Sequence, residues 1–382
     1  MNNFKIKFIT LFIFILAIIK INIANAAIIK IAILDGLKSA KIVSANYLLD
    51  YNKGLEVAAL NAKLRGLTIE YKLFSYDKER LSILNQIQNV KDWQPDFIIG
   101  PRSSDEFVLL KPYFTNTLVI SPIATAAVTE NLPNNFYSMT LPDIYLAQAM
   151  VKFIGEILDK KQRKQIYVIT AVDCISCLNI GQDFTKYYTK LHPKANLINK
   201  NFFSNDVETI DIDSLVYGYK NDDLIVIPNT SYVSAILIAR ITNYLKMNNI
   251  TFIGGDQWGS PKVSYVGKVK TIYPYNAYRI IPWSVDEKSH SMAVFKQYYW
   301  ELYKQYLDNT SAYLSYKTVM TAISVLPKDY IQHNLRSQLL DNFIIRIKAN
   351  PHTFHSKIYY VNKVENSQEN IIKKIKINIK NK

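Results

Sequence analysis

Residues 97–107 read FIIGPRSSDEF: an apolar run, a Gly-Pro pair, an arginine, two serines and two acids. The spacing predicts a short buried strand over 96–100, a turn at Gly100-Pro101, and a helix capped by Ser103 or Ser104. Asp105 and Glu106 then fall in the first turn, where negative charge meets the positive end of the helix dipole. Strand carboxyl ends meeting helix amino ends form the corners of an open parallel sheet, and such corners face its binding crevice. Taken alone, the segment reads first as an ordinary cap beside a solvated arginine.

A second corner follows at 117–128, TLVISPIATAAV, again a strand, a Ser-Pro turn and small residues. Ile123, Ala124 and Thr125 offer backbone N–H groups and one hydroxyl with little bulk, so two neighbouring corners can share one polar wall. Around them strand and helix patterns alternate. Strands are predicted at 28–34, 68–74, 96–100, 117–121, 165–170, 224–228 and 251–255, and helices at 54–64, 78–93, 105–114, 145–159, 181–191 and 231–247. This alternation predicts an α/β protein with parallel sheets covered on both faces. At 382 residues the chain is long for one core, so two Rossmann-like lobes joined by several crossings are expected. MTLPDIYLAQAM (139–150) and YPYNAYRIIPW (273–283) are the candidate crossings, followed by aromatic helices over 289–307 and 313–326. The expected division is 27–142 plus 281–342 for the first lobe and 143–280 plus 343–382 for the second.

The amino terminus assigns the compartment. MNNFKIK carries two lysines, residues 8–19 are apolar, and Ala24-Asn25-Ala26 suits a signal peptidase, so 1–26 reads as a cleaved signal peptide. The formal charge of +15 becomes about +12 once Lys5, Lys7 and Lys20 leave. No basic run exceeds two residues before Lys373-Lys374-Ile375-Lys376, so the charge reads as a solvated surface and nucleic acid is not an expected partner. A periplasmic location, poor in ATP and reduced nicotinamides, argues against a cofactor-dependent enzyme, and no cofactor is expected.

In its order of motifs the chain resembles the substrate-binding proteins of branched-chain amino-acid ABC transporters, the leucine-binding kind of type I periplasmic binding protein. IKIAIL, LNAKLRGLTIEYKLFSYD, FIIGPRSS, LVISPIAT, NNFYSMTLPD, TFIGGDQWGS and YLSYKTVMTAISVL carry the resemblance over about residues 28–362. It implies that Ser104, with Ile123, Ala124 and Thr125, holds a ligand carboxylate. It further implies that Asp256 of GGDQW meets an ammonium, and that Tyr232 of IPNTSYV closes the opposite wall, although both residues also read as ordinary helix-start positions. Two departures point away from an aliphatic amino acid. Ile180-Gly181 stands where the family has an aromatic-Gly pair, and Arg102, beside Ser103, brings a fixed positive fork. The implied function is a non-enzymatic receptor for a small polar or amino-acid-like solute, partnered by an inner-membrane ABC permease. A regulator of the same fold without transport is the alternative.

Cys174 and Cys177 are the only cysteines, spaced C-x-x-C after a strand. They read as a local disulfide staple or as a redox pair of the thioredoxin kind. The five histidines lack ligand spacing with acids or cysteines, so no metal site is expected. No G-x-S-x-G, H-E-x-x-H or Walker loop occurs, and no His and acid can be assigned to activate Ser104 or Ser121.

Overall fold

The computed structural model describes residues 27–36, 43–77, 80–126, 132–158, 165–221, 223–248, 250–258, 275–307, 310–326, 334–365 and 368–379; the expected signal peptide lies outside them. The first sheet contains β1 (Ala27–Asp35), β2 (Leu67–Ser75), β3 (Phe97–Ile99), β4 (Leu118–Ser121) and β5 (Phe136–Ser138). Its order is β2-β1-β3-β4-β5 with every neighbour parallel. Period-2 alternation along β1 decides which helices cover which face. Ile29, Ile31 and Ile33 pack with Phe295, Tyr313 and Leu339, whereas Ala32 and Leu34 pack on the other face with Ile83, Ile87 and Phe107. The connecting helices are α1 (Val43–Lys63), α2 (Arg80–Trp93) and α3 (Ser104–Leu109).

The chain crosses after Met139 into α4 (Asp143–Phe153), which continues as a π-helical turn over Ile154–Leu158. The second sheet comprises β6 (Gln165–Ala171), β7 (Asn196–Phe202), β8 (Leu224–Val226), β9 (Ile250–Gly254), β10 (Tyr275–Ile281), β11 (Ile358–Glu365) and β12 (Gln368–Lys376), in the order β12-β11-β10-β9-β8-β6-β7. Helices α5 (Ile175–Leu191), α6 (Ile212–Val216) and α7 (Ser231–Leu245) connect its parallel part. Strands β11 and β12 are added antiparallel, so the purely parallel expectation fails at this edge. The expected crossing at 273–283 is narrowed to its end, Pro282-Trp283, from which the chain returns to the first sheet. Most of the segment is β10, whose Ala277 and Ile280 are buried, and Pro282 follows the strand instead of interrupting it.

After β10 the chain returns to cover the first sheet with α8 (His290–Tyr303), α9 (Ser311–Ile323) and α10 (Leu335–Ala349). Residue 342, the expected boundary, lies inside α10, whose Leu335, Leu339, Phe343 and Ile347 all belong to the first lobe's core. Among the described residues no helix is long and apolar enough to cross a membrane.

The crossings are bonded to one another. Trp283 Nε1 donates to Thr140 Oγ1 at 3.2 Å, and Thr140 donates to the Pro122 carbonyl at 2.8 Å. Where the chain crosses a third time, between α10 and β11, His355 stacks on Tyr137 with ring centres 5.0 Å apart. Its Nε2 lies 2.7 Å from the Ser138 carbonyl, which can only accept, so Nε2 carries the hydrogen. Nδ1 is then the acceptor for the Nδ1–H of His352, 3.1 Å away. Burial pushes the His355 pKa down from 6.5 to about 3. Because the folded value lies below the unfolded one, this ring's contribution is intact above about pH 6.5 and is lost as pH falls toward 3. Over the upper part of that window, from about pH 6.5 to 5, the expected loss is up to about 2 kcal/mol. His355→Gln keeps a donor for Ser138 without titrating, so its urea midpoint should fall less steeply with acid. Equal slopes for the two proteins would remove His355 as the acid-sensitive group.

Candidate functional site between the lobes

Both corners read from the sequence stand at carboxyl ends of the first sheet and are bonded directly together. Ser121 Oγ donates to the Pro101 carbonyl at 2.6 Å and accepts the Ala124 N–H at 3.0 Å. Ser104 Oγ accepts the N–H groups of Thr125 and Ala126, each at 3.1 Å. The backbone donors expected to face a ligand at Ala124 and Thr125 are therefore used within the protein. The physical reason is burial: both residues are enclosed, and an enclosed N–H without a partner costs as much as a lost hydrogen bond. The Ser104 hydroxyl that takes up these donors is itself half-buried. With both lone pairs occupied, its hydrogen is left to donate. Ser103 holds the N-cap position of α3 with no side-chain cap bond and is exposed, while half-buried Ile123 packs against the first core.

Arg102 has a counter-ion in its own lobe. Its Nε reaches Asp35 Oδ2 at 2.8 Å and Oδ1 at 3.1 Å, across the point where strand order reverses between β1 and β3. Burial raises the Asp35 carboxyl pKa and the guanidinium opposes that rise.

On the facing side a residue absent from the sequence reading dominates. Asp143 opens α4, is 3 % exposed, and accepts a hydrogen bond from the Thr125 side chain. Its backbone N–H donates to the Thr125 carbonyl at 2.9 Å. Among the described residues its Oδ2 has no hydrogen-bond partner. Desolvation pushes this carboxyl well above the usual range, and the charges of Asp256 and Asp183 push it further. Asp256, half-buried after β9, is also raised by desolvation, while Arg279 on β10 opposes the rise. The buried hydroxyl of Tyr359 on β11 and Nδ2 of Asn179 on α5 likewise have no hydrogen-bond partner among the described residues. Ser104 is thus bonded to Thr125 and Thr125 to Asp143, and the charge of Asp256 bears on Asp143. The signal for Asp143 was present in MTLPD, but an acid directly after a proline at a helix start looks like a capping charge.

Tyr232 stands in the first turn of α7 on the second lobe. Its hydroxyl donates to Glu208, and it lines a cavity of about 350 Å³ at the carboxyl ends of β6, β7 and β8 together with Cys174 and Cys177. Those cysteines form a disulfide. Between β6 and β8 the second sheet has its own reversal of strand order, filled by buried Asn229, which donates to the Ile169 carbonyl at 2.9 Å and accepts the Ala171 N–H at 2.8 Å.

No family model and no curated protein matches the chain. Solved structures do. The leucine-binding protein LivK of Thermotoga maritima MSB8 superposes with a TM-score of 0.70 at 16 % identity, over 91 % of this chain and 99 % of that one. The chain has the type I periplasmic binding-protein fold. LivJ of Streptococcus pneumoniae, a branched-chain amino-acid transporter substrate-binding protein solved with isoleucine, matches at TM-score 0.71 and 16 % identity over 91 % and 99 % of the two chains. A solute-binding protein of R. palustris solved with 4-hydroxybenzoate matches at 0.68 and 13 % over 92 % and 97 %. Within this binding-protein fold, Ser104 and Thr125 stand on first-lobe corners, Asp143 at the first crossing, and Asp256 on a second-lobe corner.

Proposed function

We propose that the chain is the exported, periplasmic solute receptor of an ABC importer and that its solute carries a protonated amine and a carboxylate. The supporting observation is the enclosed Oδ2 of Asp143, which has no hydrogen-bond partner among the described residues, beside Thr125 and under the charge of Asp256. A buried carboxylate raised by neighbouring acids is relieved by a cation, and an ammonium supplies three donors to such a set of acceptors. The Ser104 hydroxyl is suited to the carboxylate end. Arg102, already neutralised by Asp35, is assigned to bracing the corner and not to an acidic ligand group.

Receptor action follows from the contacts being divided. Thr125 and Ser104 belong to one lobe and Asp256 to the other, so a solute touching all three favours the closed arrangement, which an inner-membrane permease would read. No catalytic step is proposed. A thermal-shift panel tests the reading. At least one α-amino acid should raise Tm, and its 2-hydroxy counterpart, which lacks the amine, should not. Stabilisation by both to the same extent would refute an ammonium site.

A further inference from the structure

The Cys174–Cys177 disulfide stands at the amino end of α5, and its two sulfurs differ in access. Both line the 350 Å³ cavity walled by Ala171, Ser204, Thr230 and Tyr232, but Cys177 is 0 % exposed whereas Cys174 is half-buried. Two features would stabilise the reduced pair. Cys174 Sγ is the N-cap of a 17-residue helix and accepts the Cys177 N–H at 3.3 Å, an environment that favours a thiolate there. Cys177 Sγ lies 3.2 Å from Gln257 Oε1, an acceptor that a disulfide sulfur cannot serve but a thiol S–H can.

We propose that this disulfide is an exchange site for a low-molecular-weight thiol held in the cavity. The incoming thiolate attacks Cys174 Sγ, the Cys174–Cys177 bond breaks, and a ligand–Cys174 disulfide forms. Cys177 leaves as thiolate and takes up, through solvent, the proton that the incoming thiol released, and its S–H then donates a hydrogen bond to Gln257 Oε1. The ligand sulfur rises to the disulfide level as Cys177 falls to the thiol, so the step balances without another oxidant, and reversal restores the original bond.

The test uses the full chain with cysteine as the probe, acid quenching, alkylation and peptide mapping. Folded wild-type protein should open, with the cysteine adduct on Cys174 and the alkyl group on Cys177. With cystine as the probe, Cys177→Ser should form its adduct at least about tenfold faster than Cys174→Ser, whose remaining sulfur is enclosed. A wild-type disulfide that resists cysteine until denaturant is added, or adducts shared evenly between the two sulfurs, would overturn the proposal. The wild-type arm needs no variant to fold.

Discussion

A Gly100→Ala protein is expected to unfold more readily than wild type by at least about 3 kcal/mol. Gly100 has a φ of +96°, a conformation that costs an L side chain about 1–2 kcal/mol. An added Cβ would also stand 2.2 Å from the carbonyl oxygen of Leu34. That oxygen is backbone, and Leu34 is 0 % exposed in the interior strand β1, so no flexible side chain can move aside. Relief requires β1 and β3 to separate where Ile33 pairs with Ile99, opening both apolar faces of the sheet. Urea unfolding measures the loss, and an unchanged midpoint would contradict this account of the corner.

Asp143→Asn should produce two effects of opposite sign. In wild type the folded pKa of Asp143 lies well above its ordinary 3.8, so the unfolded chain releases the proton first. Stability from this group is therefore full below about pH 4 and is lost as pH rises through the elevated folded value. Asparagine retains an acceptor for Thr125 and never ionises, so the ligand-free variant should be more stable than wild type at neutral pH. Its solute affinity should fall by at least about 2 kcal/mol, or roughly thirtyfold, because a charge-assisted bond to an ammonium is lost. Calorimetry with an amino acid that stabilises wild type reads the second effect. Asp105→Asn, at an exposed position, should leave affinity unchanged. A variant that binds normally would remove Asp143 from the site.

Much of the fold was legible because its central strands are continuous apolar runs with turn residues at their ends. IIKIAIL and FIIG, flanked by helical periodicity, leave few alternatives to a doubly covered parallel sheet. Strands at the edges carried a weaker signal. NLINKNF forms β7 although it is mostly polar, since one side of an edge strand is left to solvent. The lysines of QENIIKKIK obscured β12 for the same reason, and the prolines beside YNAYRII made β10 look like a crossing.

The two corners of the site could be found because small residues, serines and prolines at strand ends have few other uses. What could not be read was which donors remain available. That depends on Ser104 turning back to bind Thr125 and Ala126, and on Asp35 reaching Arg102 across 67 residues of sequence. Asp143 escaped notice for a related reason: nothing local distinguishes a capping acid from one enclosed by a second lobe.

The most direct measurement is a competition. The full-length protein is incubated with a mixture of the α-amino acids, polyamines and aromatic carboxylates, desalted and denatured, and the released compounds are identified by mass spectrometry. The expected result is about one equivalent of a compound bearing both an amine and a carboxylate, bound by wild type and absent from Asp143→Asn. Retention of an aromatic carboxylate without nitrogen, such as 4-hydroxybenzoate, with every amine washed away, would contradict an ammonium held between the lobes.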